Sequence, residues 1–189
     1  MYEKIEALLA QCTPGDAREA QDIACLRRYL AAEPNLLTRE NTAMHLTASA
    51  WIVGAGGERV LLCWHNIYKS WSWTGGHADG DDDLPAVALR EAEEETGVRC
   101  TLVSAKPLAV DILPVWPHEK RGAPVSGHLH LNFTFLLRAD EAAPLRIKPD
   151  ENSDVRWFAA DAVEAAVSEP DMRPVYARLA AKTALFTKI

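Results

Sequence analysis

The segment that most restricts how this chain folds runs from Gly75 to Val98: Gly-Gly-His-Ala-Asp-Gly-Asp-Asp-Asp-Leu-Pro-Ala-Val-Ala-Leu-Arg-Glu-Ala-Glu-Glu-Glu-Thr-Gly-Val. Its helix punctuation is legible. Asp83 is a sound N-cap, Pro85 is tolerated in a first turn and Gly97 suits the position just past a C-terminus, so a helix is predicted from about Leu84 to Thr96. At roughly 100° per residue, Pro85, Ala88, Leu89, Ala92 and Thr96 share a small, mostly apolar face, while Glu91, Glu94 and Glu95 fall together on another. Glu93 points elsewhere. Arg90 and Glu94, at i,i+4 spacing, are placed to pair. Three carboxylates on one face repel one another, and a helix standing alone with them reads as a solvated surface helix. This one follows a tight Gly75-Gly76 turn that lets backbone come close to a ligand. Carboxylates beside such a turn form the oxygen-rich site that hard divalent cations prefer, and a cation compensates their clustering.

The spacing resembles the Nudix box, G-x5-E-x7-R-E-U-x-E-E-x-G-U with U a bulky apolar residue. Gly76, Arg90, Glu91, Glu94, Glu95, Gly97 and Val98 fall in register. Three positions depart from it. Asp82 stands where the first Glu belongs, Ala92 is smaller than the usual apolar residue, and Thr74 replaces the proline that often precedes the glycines. Rival motifs fail on spacing: an EF-hand loop begun at Asp79 needs Gly and Glu where Leu84 and Arg90 stand, and no G-x-x-x-x-G-K-[ST] run exists.

The resemblance implies a Nudix-like α/β/α sandwich with a mixed sheet, and cleavage of the phosphoanhydride bond in a nucleoside diphosphate linked to another moiety, by water activated on Mg²⁺ or Mn²⁺. It assigns Glu91 and Glu95 as direct metal ligands, Glu94 as a further ligand or an Arg90-held catalytic group, and the Gly75 or Gly76 carbonyl as an extra ligand. Asp82, at the box position of the first Glu, is counted among the metal-site residues, and being one methylene short it is expected to weaken support of the site or shift its metal preference. The physical logic agrees, because phosphates approach clustered carboxylates only when divalent ions bridge the two. The general base in this family usually comes from outside the helix. Glu151, in the loop Lys148–Asp154, is the candidate, and Glu119, in the loop 117–127, is its competitor.

Composition limits the alternatives. The 189 residues suit one domain, and 48% hydrophobic with 25% charged residues is ordinary for a globular chain. Cys12, Cys25, Cys63 and Cys100 are scattered without a C-x-x-C pair, which argues for a reduced, cytoplasmic protein rather than a disulfide scaffold. No basic-then-apolar leader and no membrane-length apolar run is present, so no membrane partner is expected. The net charge of -7 gives no general reason to bind long nucleic acid. That charge is local, since residues 79–95 hold eight acids and one base. It reads as a cation site that admits a small nucleotide-like diphosphate through its metal. A homodimer is left open.

Along the chain, residues 3–11 and 17–32 show helical spacing around the breaker Thr13-Pro14-Gly15. Residues 1–42 are therefore expected to form a helical extension packed on the same domain, with the Nudix-like domain over 43–189. Strands are expected at 44–53, 60–64, 129–137 and 155–158, and helices at 159–168 and 174–185. The result is an α+β chain. In the third of those strands Leu129, Leu131, Phe133 and Phe135 share one face and His128, His130, Asn132 and Thr134 the other.

Several residues stay ambiguous on sequence. His128 and His130 read equally as a metal pair, as phosphate contacts or as exposed polar residues. His77 follows the glycine turn and reads as a phosphate contact or a plain surface histidine. Trp71 and Trp73 suit core packing better than base stacking, and His45 and Cys63 suggest only core or strand duty. Pro114, sixteen positions after Val98, matches a pattern of ADP-ribose-cleaving relatives, whereas Val115 stands where dinucleoside polyphosphate relatives carry tyrosine. Against a metal-dependent diphosphohydrolase stand a Nudix-fold binding or regulatory module blunted by Asp82, and a Nudix-fold isomerase, for which no Cys-and-Glu motif lies in register.

Overall fold

The computed structural model describes residues 2–120 and 122–186. Two helices open the chain, α1 (Glu3–Ala10) and α2 (Ala17–Ala32), the second capped by Asp16, whose Oδ1 accepts the Glu19 amide at 2.8 Å. Ten residues, apolar or small on both faces apart from His45, then form β1 (Met44–Val53), buried from His45 onward. Strands clothed on both faces carry this pattern. There follow β2 (Arg59–His65), β3 (Ser70–Ser72), β4 (Thr74–His77), α3 (Leu84–Thr96), β5 (Cys100–Leu102), β6 (Ala109–Val115), β7 (His118–Lys120), β8 (Ala123–Val125), β9 (His128–Ala139), β10 (Asn152–Ala159), α4 (Val163–Ala166) and α5 (Arg173–Phe186).

β1 and β9 form a parallel central pair, with Leu46 opposite Leu131 and Ala48 opposite Phe133. Every other pairing is antiparallel among the described residues. The sheet order is β10-β2-β1-β9-β5, with β3 added to β2, β4 to β1 and β6 to β9. β1 is shared: Ile52 and Val53 pair with β2, and Thr47 to Ala50 pair with β4. That division brings the glycine turn onto the sheet.

Alternation along the central strands sorts the core into two layers. Leu46, Ala48 and Ile52 with Leu131, Phe133 and Phe135 pack against Leu84, Val87, Ala88 and Ala92 of α3 and against Ile5, Leu9 and Leu26 of the first two helices. Trp51, Val53 and Leu136 face the other way, onto Val175, Tyr176 and Leu179 of α5. The expected α/β/α sandwich with a mixed sheet results. Each fully buried large apolar side chain contributes about 1.5–3 kcal/mol, and emptying the Phe133 site by substitution to Ala would cost about 3–5 kcal/mol. Among the described residues no helix is long and apolar enough to cross a membrane.

The edge strand β6 was not predicted, because Pro114 interrupts its pattern. Proline is tolerated there since, among the described residues, β6 pairs only with β9. Its outward amides are not left open: Val110 N–H donates to Glu19 Oε1 and Ile112 N–H to Asp22 Oδ2, each at 3.1 Å, so α2 covers the edge. Glu19 is fully buried and also accepts from Lys182 Nζ at 2.7 Å, while Arg178 bonds Asp16 at 3.0 Å and Asp111. These charges fasten α2, β6 and α5 together. The expected helix at 159–168 is instead a 3₁₀ turn, Ala160–Ala162, and the single turn α4. The expected loop at 117–127 contains the β7–β8 ribbon, which turns near Gly122 at φ 77°.

Candidate active site

The helix α3 spans the predicted residues. Asp83 Oδ1 accepts from Ala86 N–H at 3.2 Å, Pro85 sits in the first turn and Gly97 adopts the left-handed conformation at φ 72°. Its carboxylates do not share one environment. Glu95 is 3% exposed and packed with the apolar face, Glu91 is half-buried, and Glu94 lies on the surface.

The glycine pair on β4 explains how two of these acids are held. Gly75 lies against β1 so closely that a Cβ would stand 2.7 Å from the Ala48 carbonyl oxygen. Its amide donates to Glu95 Oε1 at 2.8 Å. At Gly76 a Cβ would meet the Glu91 carboxylate carbon at 2.5 Å, so the space of a missing side chain is where that carboxylate sits. Cys63 on β2 directs its thiol to Glu95 Oε2 at 3.4 Å. Burial, then the carboxylate beside it, raises the Cys63 thiol well above the ordinary range.

Glu151 completes the group. The loop before β10 is shaped by Asn152, whose side chain accepts from Lys148 N–H at 3.1 Å and donates to the Glu95 carbonyl at 3.0 Å. Carboxylate oxygens of Glu91, Glu95 and Glu151 thereby lie within 4.8 Å of one another. Burial, offset by the Gly75 amide and reinforced by repulsion from Glu151, drives Glu95 up to about 8. Burial and then Glu94 raise Glu91.

The expected Arg90–Glu94 pair is not formed. Arg90 reaches Asp81 at 3.5 Å and Glu91 at 3.8 Å, while Glu94 is bound by Lys148 Nζ at 3.0 Å, which also holds Glu151 at 3.0 Å. Burial opposes the Lys148 charge, but hydrogen bonds to Glu94 and Glu151 outweigh it and raise its pKa. Asp82 is bonded to Lys4 of α1 at 2.6 Å and stands outside the group of three. Asp79 is gripped by Arg39 at 2.7 and 2.8 Å. The aspartates that made the segment look like one broad cation site are thus answered by protein partners. Glu119 is exposed on β7 and outside the carboxylate group. Trp73 is buried against Tyr176, and Trp71 packs edge-on to Trp64 and Phe158. Pro114 is exposed on β6.

A family model, the NUDIX domain, matches residues 43–179. The chain belongs to the Nudix family. Solved structures of Nudix proteins share the fold. A Caenorhabditis elegans Ap4A hydrolase binary complex is 18% identical with a TM-score of 0.54, covering 74% of this chain and 97% of that one. A Nudix hydrolase from Clostridium perfringens is 20% identical with a TM-score of 0.52, covering 75% and 97%. A UDP-X diphosphatase is 18% identical with a TM-score of 0.52, covering 88% and 71%. No curated protein matches the sequence. Within the Nudix site, the sequence does not single out Lys148 or Asn152, and it suggests for Cys63 only core or strand duty, whereas its thiol meets Glu95. Lys148 is 54 residues from Glu94 and Cys63 is 32 from Glu95, and no local pattern links them.

Proposed function

We propose that this Nudix protein hydrolyses the phosphoanhydride bond of a nucleoside diphosphate linked to another moiety, with Glu91, Glu95 and Glu151 holding Mg²⁺ or Mn²⁺. The observation that carries the reading is the convergence of these three carboxylates against the Gly75-Gly76 turn, with Glu95 almost wholly buried. An all-oxygen donor set fits a hard divalent cation, and a buried acid that otherwise retains its proton to about pH 8 gains a stable anionic state when a cation arrives. Such a cation would neutralise the diphosphate and lower the pKa of water at the site.

The protein groups divide the remaining work. The Gly75 amide and Cys63 fix Glu95, the vacancy at Gly76 seats Glu91, and Arg90 leans on Glu91 from outside. Glu151, through the carboxylate oxygen that the cation leaves free, is also the general base of the proposal, since it alone of the two loop acids stands among the helix carboxylates, and Lys148 sets its position. Glu94 stays at the mouth, anchored by Lys148, as an accessory acidic group. The Gly76 carbonyl remains a proposed further ligand. Asp82 is left out of the ligand set because Lys4 holds it. Two structural relatives bear the names Ap4A hydrolase and UDP-X diphosphatase, which agree with the reaction class.

The test is a panel of nucleoside diphosphate derivatives incubated with the full chain and Mg²⁺ or Mn²⁺, released phosphate being read after phosphatase coupling. Turnover of at least one member, lowered roughly 100-fold or more by Glu95→Gln, is expected. No turnover across the panel, or an undiminished Glu95→Gln enzyme, overturns the assignment.

A further inference from the structure

A second group of ligand-type side chains lies on the opposite face of the sheet. Gly76 turns toward α3 and Glu91, so His77, one residue on, projects to the other side. There it meets His45 of β1 and His128 and His130 of β9. The strand pairing brings them together: Thr47 lies opposite His77, and His45 opposite His130. One ring nitrogen from each of the four lies within 4.8 Å of the others. Ring centroids are 4.9 Å apart for His45–His77, 4.8 Å for His45–His128 and 5.0 Å for both His77–His130 and His128–His130.

We propose that His45, His77, His128 and His130 form a closed site for one borderline transition-metal ion, Zn²⁺ in the first instance, separate from the carboxylate centre.

Hydrogen bonding supports it. His45 is 4% exposed, and its Nδ1 lies 3.1 Å from the Asn41 carbonyl oxygen, an arrangement that makes Nδ1 the donor. Its Nε2 is then a bare lone pair, and it is buried with no hydrogen-bond partner. A buried acceptor left in that state is costly unless something fills it. His128 repeats the arrangement, with Nδ1 2.8 Å from the Ser126 carbonyl oxygen and Nε2 facing inward, 3.2 Å from His130 Nε2. Backbone carbonyls that grip one ring nitrogen and aim the other are the usual support of metal-bound imidazoles. Two nitrogens on a tetrahedral Zn²⁺ at about 2.0–2.1 Å stand roughly 3.3 Å apart, the spacing His128 and His130 already have, and the others close in by less than about 1 Å per side chain. Four imidazoles without an oxygen ligand favour Zn²⁺, Co²⁺, Ni²⁺ or Cu²⁺ over Mg²⁺. Four protein ligands leave no open position, so the ion ties β4 to β1 and β9 and does no chemistry of its own. It would stiffen the strand that carries Gly75 and Gly76.

The experiment uses the full chain, stripped with chelator and returned to buffer with Mg²⁺ in excess. Co²⁺ is titrated in while its visible d–d absorption is followed. About one Co²⁺ per chain with the intense band of tetrahedral nitrogen coordination is expected, retained in Glu95→Gln and weakened roughly 10–100-fold in His77→Gln and His128→Gln. Absence of binding in the wild type, loss of binding in Glu95→Gln, or unchanged binding in both histidine variants overturns the proposal. A measurement on the unaltered protein guards against variants that fail to fold. Of the six histidines, the imidazole NMR signals of His45, His77, His128 and His130 should shift on adding Zn²⁺, and a response confined to His65 and His118, or none, overturns it as well.

Discussion

The amide of Gly75 donates to Glu95 Oε1 at 2.8 Å, joining the turn on β4 to the last turn of α3 twenty residues later. The bond exists because Gly75 can lie against β1 where no side chain fits: its Cβ would stand 2.7 Å from the Ala48 carbonyl oxygen and 2.9 Å from the Ser49 Cα. Gly76 is confined differently, by the movable carboxylate of Glu91.

The two glycines should therefore fail in different ways. Gly75→Ala pushes on backbone and is expected to cost about 1–3 kcal/mol, or about 2–4 °C of melting temperature for each kcal/mol. Gly76→Ala displaces Glu91, leaves the unfolding free energy within about 1 kcal/mol of wild type and lowers turnover roughly 100-fold. Thermal melts and turnover on the same preparations check this. Equal losses of stability would show that Glu91 is held as rigidly as the strand.

Glu95 sets a pH dependence. Its folded-state pKa is raised from an ordinary 4.5 to about 8, first by burial. Below pH 4.5 both states carry the proton and the group has no effect. Between the two values the unfolded chain releases the proton while the folded chain keeps it, so stability declines as pH rises. In EDTA, the wild type should lose melting temperature relative to Glu95→Gln between pH 5 and pH 8, and Mg²⁺ should stabilise the wild type more at pH 8 than at pH 5. A constant gap between the two proteins would mean that Glu95 ionises freely in the fold.

Lys148 competes with any cation for Glu94 and Glu151. As a partly exposed pair its direct stabilisation is small, about 0–1 kcal/mol. Lys148→Met is expected to leave the metal-free melt nearly unchanged while the Mg²⁺ concentration for half-maximal thermal shift falls about fivefold, the equivalent of about 1 kcal/mol. A higher Mg²⁺ requirement would show that Lys148 chiefly orients Glu151.

Arg178 is buried among Asp16, Glu19 and Asp111. Arg178→Met strands Asp111, whose carboxyl burial already raises despite the guanidinium. A loss of about 3–5 kcal/mol is expected in denaturant unfolding. Replacing Arg178 and Asp111 together by Met and Asn should recover part of it, and no recovery would place the cost in packing alone.

Local chemistry determined a good deal by itself. The N-cap Asp83 and the left-handed Gly97 bounded α3 at the observed residues, strict alternation in β9 sorted Leu131 and Phe133 from His130 and Asn132, and the spacing from Gly76 to Val98 identified the family. The cap and the alternation depend on neighbours within a few residues, where helix and strand periodicity are decisive, whereas the longer spacing identifies the family by resemblance. Angular position on a helix shows which side chains share a face but not what covers it. Only the packed structure buried Glu95 while leaving Glu94 in solvent, gave Glu94 to Lys148 instead of Arg90, and used Lys4 for Asp82. It likewise gathered His45, His77, His128 and His130 from three strands. The acidic stretch at the heart of the sequence was thereby divided by contacts across 32 to 78 residues, and the charge that looked like one site became a surface held by lysine and arginine around three converging carboxylates.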